Sequence, residues 1–274
     1  MKIPYNENML KEIESKGTIS GKDRWGGFAF HFDFSVPRIA AAIHAGHAVR
    51  RELLPLMVLT ADQRMFEEDT GTDYMIQGQP NAVWGLESRA VYDLNRGIDM
   101  ALPLEPEKFW STRVYGKPPS PEMNARSLRS HDAFYRAVGT WITCILEKFG
   151  YCVVYDIHSY NISRQQDRGY ASPPVFNLGT AALDRSRWAP HIESWIDLLR
   201  AISLPGIKTT VAENLVFSGK GEFCRRLSQW DPRILVLPTE VSKVYMDEKS
   251  GAIYPDVIKA VKEGLAKAMA DHLT

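Results

Sequence analysis

The 274-residue sequence predicts an α/β fold: one domain with a mostly parallel or mixed central sheet and helices on both faces. Three observations lead there. Short runs rich in β-branched and aromatic residues, Tyr151–Tyr155 and Ile234–Leu237 among them, read as strands covered on both faces. Segments with apolar residues at helical spacing alternate with them. A hydrophobic content of 45% is ample for one core, so residues 1–274 are expected to form a single domain.

In chain order, "RIAAAIHAGHAVR" predicts a strand ending at Ile43 and then a turn, since Gly46 inside a helix would cost about 1 kcal/mol relative to alanine. Residues 97–125, rich in proline, predict a long surface excursion without regular structure. Residues 126–149 carry Phe134, Val138, Trp141, Ile142, Ile145 and Phe149 on a helical period, and Gly150 stops that helix before a strand over 151–157. Ile192, Trp195, Ile196, Leu199 and Ile202 mark another helix, ended by Pro205-Gly206 and followed by the short apolar "IKTTVAENLVF". "RILVLPTEV" is a further strand, and Pro255 opens a closing helix with Ile258, Val261, Leu265 and Met269 on one face.

Thirty-three basic residues balance 33 acidic ones, which leaves no electrostatic footprint for nucleic acid or an anionic membrane and points to a small-molecule partner. No apolar run approaches the roughly 20 residues that span a bilayer, and the N-terminal stretch lacks the apolar core of an export signal. Cys144, Cys152 and Cys224 suit neither a disulfide framework nor a thiolate zinc site, so reduced thiols and a cytoplasmic location are expected.

Four polar patches interrupt the apolar logic. His44 and His47 follow the first strand, and His158 closes the apolar run "CVVYDIHSYN", where ligands gather beyond the carboxyl ends of strands in open α/β sheets. "FEEDTGTDYM" offers Glu67, Glu68, Asp69 and Asp73 on a glycine-containing turn. Two imidazoles and one carboxylate with an open position form a recurrent catalytic zinc set. "ESRAVYDLNR" supplies Arg89, Asn95 and Arg96, whose guanidiniums suit a bidentate grip on a carboxylate. Glu240, in "LPTEVSKVYMDEKSG", follows an apolar run and, held in a cleft, would have the raised pKa of a general base. Each patch also has a plainer reading: surface histidines, a solvated acidic turn, an exposed arginine pair, a salt-bridged edge glutamate.

Taken together in this order, the patches resemble the N-formylglutamate amidohydrolase family, related to the zinc carboxypeptidases and aspartoacylase, from about Ile39 to Gly251. "IHAGH" is similar to the segment with the first histidine ligand, "EEDTGTD" to the aspartates after it, "SRAVYDLNR" to the substrate-carboxylate motif, "DIHSYN" to the second histidine segment and "TEVSKVYMDE" to the glutamate segment. The resemblance implies a zinc-carboxypeptidase-like fold and one zinc per chain, held by His44, His158 and a third ligand among His47, Glu68, Asp69 and Asp73, with Asp69 favoured. It further implies Glu240 as general base, Arg89 at the oxyanion, and Asn95 and Arg96 on the substrate α-carboxylate. The expected activity is hydrolysis of the N-formyl amide of an acidic amino acid such as N-formyl-L-glutamate, a reaction associated with histidine degradation. A metallocarboxypeptidase or an N-acetyl amino-acid deacylase would share these groups. A non-catalytic carboxylate-binding module would have no use for Glu240.

Overall fold

In the computed structural model, residues 3–272 are described. Eight strands form one mixed sheet in the order β1-β2-β4-β3-β5-β8-β6-β7. They are β1 (Ile19–Lys22), β2 (Phe28–Phe32), β3 (Arg38–Ala42), β4 (Asn81–Gly85), β5 (Cys152–Tyr160), β6 (Phe176–Leu178), β7 (Val211–Glu213) and β8 (Ile234–Ser242). The central four, β4-β3-β5-β8, run parallel, whereas β2 pairs antiparallel to β4 and β6 antiparallel to β8. The expected mixed sheet is thus present, with β-branched and aromatic side chains filling β5 and β8 because both of their faces are covered.

One face is covered by α1 (Glu7–Lys16), α4 (Pro121–Phe149) and α7 (Glu222–Trp230), where Phe32, Phe134, Trp141 and Phe223 pack with Val154 and Val236. Against the other lie α3 (Thr72–Ile76), α6 (Arg185–Arg200) and α8 (Pro255–Asp271), where Trp195, Ile192 and Leu265 meet Tyr155 and Leu237. Two short helices, α2 (Ala61–Glu67) and α5 (Ile162–Asp167), flank the carboxyl ends of the parallel strands.

Three boundaries differ from the sequence reading. The long helix begins at Pro121 rather than residue 126, because proline at the first helical position needs no hydrogen bond and Ser120 caps the turn by accepting from the Met123 N–H. The excursion is therefore shorter, and it is not only surface: Ala101, Phe109, Val114 and Tyr115 are buried. β5 runs on to Tyr160 because the pairing with β8 continues from Cys152↔Ile234 to Tyr160↔Ser242. α6 ends at Arg200, before Pro205. The three cysteines are free thiols, two of them buried. Among the described residues no helix is long and apolar enough to cross a membrane.

Candidate metal centre and active site

The four parallel strands deliver the candidate residues at their carboxyl ends. His44 lies two residues beyond β3, and residues 86–96 leave β4 carrying Arg89, Asp93, Asn95 and Arg96. His158 and Glu240 are register partners on β5 and β8, so their side chains project from the same face. Asp156, two residues before His158, shares that face. The turn at Gly46 runs so close to the Leu86 and Glu87 backbone that a Cβ there would collide with it, which fixes the exit of β3 against that of β4.

Asp69 joins them from the loop after α2, held by its N–H donating to the His44 carbonyl at 3.0 Å. Its carboxylate lies 2.9 Å from His158 Nδ1 and 3.5 Å from His44 Nδ1. One donor atom from each of His44, Asp69 and His158 falls within 4.8 Å of the others, and all three residues are buried. The outer nitrogens face carboxylates: His44 Nε2 is 2.7 Å from Asp93 Oδ1, and His158 Nε2 is 3.0 Å from Asp156 Oδ1. A hydrogen-bonded carboxylate, as Asp93 is to His44, orients an imidazole and raises its basicity toward a metal, whereas Asp156 lies close to His158 without hydrogen-bond geometry. His44 Nδ1 is buried with no hydrogen bond of good geometry. Two imidazoles and a carboxylate, buried, converging and backed by carboxylates, are a donor set that fits a divalent zinc.

The other acids considered for the third ligand turn away. Glu68 is buried but binds His47 Nδ1 at 2.7 Å, and Asp73 sits in the first turn of α3. His47 is half-exposed and outside the cluster.

Electrostatics follow from this crowding. Burial opposes ionisation of Asp69, but the hydrogen bond from His158 and the nearness of the His44 ring outweigh it and hold the carboxyl well below its usual range. Burial likewise works against a charged His158, yet Asp156 and Asp69 raise its pKa well above the ordinary value. The same field that holds a proton there favours a metal cation in its place. Burial drives the Glu240 carboxyl up to about 8, partly countered by attraction to His158. Lys243, on the loop after β8, is pushed down to about 8 by burial.

A cavity of about 280 Å³ opens over the cluster, lined by all seven candidate residues together with Trp110, Asp156, Ser159, Phe217 and the loop Ser218–Gly221. Arg89 is buried, donates to Asp93 Oδ2 at 2.7 Å, keeps its Nε unpartnered, and lies 5.6 Å from the Trp110 ring centre. Arg96 is half-exposed at the mouth, 4.0 Å from Asp93. Asn95 has a structural task as well, since its Oδ1 accepts from the Phe223 N–H and so caps α7. Asp93 therefore joins His44, Arg89 and the Asn95 N–H in one hub. Sequence reasoning passed over Asp93; the signal available was an acid four residues after Arg89, the spacing of a local ion pair.

The N-formylglutamate amidohydrolase family model matches residues 36–246. The chain belongs to the N-formylglutamate amidohydrolase family. Membership makes it a hydrolase acting on an amide. Among solved structures, the N-formylglutamate amidohydrolase of Ralstonia eutropha JMP134 is 18% identical with a TM-score of 0.69, covering 89% of this chain and 97% of that one. A gene product of Agrobacterium tumefaciens is 16% identical with a TM-score of 0.63, covering 95% and 98%. These two likenesses show that the amidohydrolase family member shares their fold. A metallo-carboxypeptidase from Burkholderia cenocepacia matches at 11% identity and a TM-score of 0.39, covering 98% of this chain and 69% of that one. No curated protein matches the chain.

Proposed function

We propose that this family member is a zinc-dependent deformylase of N-formylated acidic amino acids, N-formyl-L-glutamate foremost. The observation that carries the reading is the buried His44–Asp69–His158 cluster, each imidazole backed by its own carboxylate, beside Glu240 on the neighbouring strand. When bound there, zinc supplies Lewis acidity and, by its charge, draws the Glu240 carboxyl back toward its ionised form.

The protein's own groups do the rest. Glu240, as carboxylate, accepts a proton from the attacking water and returns it to the leaving amine nitrogen, so that formate and the free amino acid depart. Arg89, fixed by Asp93, directs its unpartnered Nε–H toward the developing oxyanion, an interaction worth roughly 3–4 kcal/mol in comparable sites. Arg96 at the mouth, with the Asn95 amide beside it, grips the α-carboxylate and so sets the scissile carbonyl over the cluster.

Elemental analysis of wild type and His158→Ala, with N-formyl-glutamate hydrolysis followed on the same samples, tests this. About one zinc per chain is expected, lost together with activity in the variant. A wild-type protein that takes up no zinc and releases no formate would overturn it.

A further inference from the structure

Beside the main cavity, across Asp69 and Arg89, lies a small second lobe of about 20 Å³, which shares Trp110, Ser159 and Phe217 with it. Phe66, Gln165 and Lys243 line the lobe together with Arg164, whose guanidinium is already paired with Glu67. A space of that size holds about one water-sized group. Its lining is polar in an unusual way. Gln165 is 1% exposed, yet neither its amide oxygen nor its amide nitrogen has a hydrogen-bond partner. Lys243 is 2% exposed, spends one N–H on the Phe66 carbonyl at 2.9 Å, and forms no ion pair among the described residues. An ammonium carries three donors, so two remain. Buried polar groups without partners are rare and call for an explanation.

The proposed reaction gives one, and the inference rests on that reading. An amide substrate must straddle the His44–Asp69–His158 cluster. Its amino-acid half carries two carboxylates and fits only the larger cavity, where Arg96 stands, so its acyl half faces the small lobe. We infer that this lobe is the acyl pocket, and that Gln165 and Lys243 set its preference for formyl over acetyl. A formyl group puts only a hydrogen atom toward the lobe, so a water molecule keeps its place on Gln165 and Lys243. A methyl group has the size of that water but displaces it, leaving buried donors unpaired. Leaving one such group unpaired costs roughly 10- to 100-fold. Longer acyl chains do not fit at all.

The test compares kcat/KM for N-formyl-glutamate and N-acetyl-glutamate in zinc-loaded wild type, Gln165→Leu and Lys243→Met. Leucine at 165 removes no hydrogen bond, so the fold is retained, and the second variant checks the first. Wild type is expected to favour the formyl substrate by about 100-fold or more, and each variant to lower that ratio by about 10-fold. A wild-type ratio near one, or a ratio unchanged in both variants, overturns the assignment. Titration with ¹³C-labelled formate and acetate, followed by NMR, separates this from failure of the hydrolase reading. If neither amide is hydrolysed, the function falls, and binding decides the lobe alone. Formate held more tightly than acetate, with the difference shrinking in the variants, supports it; equal affinity in wild type overturns it.

Discussion

Replacing Glu240 by glutamine tests burial and catalysis in one variant. Burial lifts the carboxyl from 4.5 to about 8 in the metal-free protein. Between those values the folded state keeps a proton that the unfolded state has released. Stability therefore falls as pH rises through that window. At ~1.36 kcal/mol per pH unit the interval sets a ceiling of about 5 kcal/mol. Glu240 is only partly covered and His158 attracts its charge, so about 2–3 kcal/mol is the expected loss. Glutamine does not titrate. In chelator-treated samples, urea midpoints at pH 5, 6.5 and 8 should diverge, with Glu240→Gln the more stable protein at pH 8. With zinc present the same variant should lose about 10²- to 10⁴-fold in kcat, the usual contribution of a general base. Parallel pH profiles would refute the proton-holding carboxyl, and full turnover would remove Glu240 from the chemistry.

Asp93→Asn keeps the shape but removes the charge that faces His44 Nε2 and Arg89, so zinc affinity measured by chelator competition should drop about 10- to 100-fold; undiminished affinity would leave Asp93 without an orienting role. Arg96→Ala should raise KM for N-formyl-glutamate while kcat changes little, because the half-exposed guanidinium stands at the cavity mouth; an unaltered KM places the carboxylate grip elsewhere. Gly219→Ala should destabilise the protein by about 1–3 kcal/mol in thermal melts, since Gly219 has φ +74° and its Cβ would press into the Gly179 backbone; an unchanged Tm would contradict that packing.

Much of this molecule was legible in its sequence, because strands and helices are announced by neighbours along the chain. The run of β-branched and aromatic residues at 153–155 and the helical spacing of Phe134, Trp141 and Ile145 report burial locally. The abrupt polarity after Ile43, Ile157 and Leu237 likewise marked where His44, His158 and Glu240 meet the crevice. Proline was the misleading local signal at Pro121, where it starts a helix instead of prolonging a loop. Only the tertiary structure decided which acid of "FEEDTGTD" reaches His44 and His158, since Glu68 and Asp69 are adjacent carboxylates but point to different partners. Only it revealed Asp93 behind His44 and the unpartnered Gln165 and Lys243 beside the cluster. The physical reason is the same in each case: periodicity fixes which side of an element is buried, whereas the partner of a buried polar atom is chosen by contacts tens of residues away, when the strands close into one sheet.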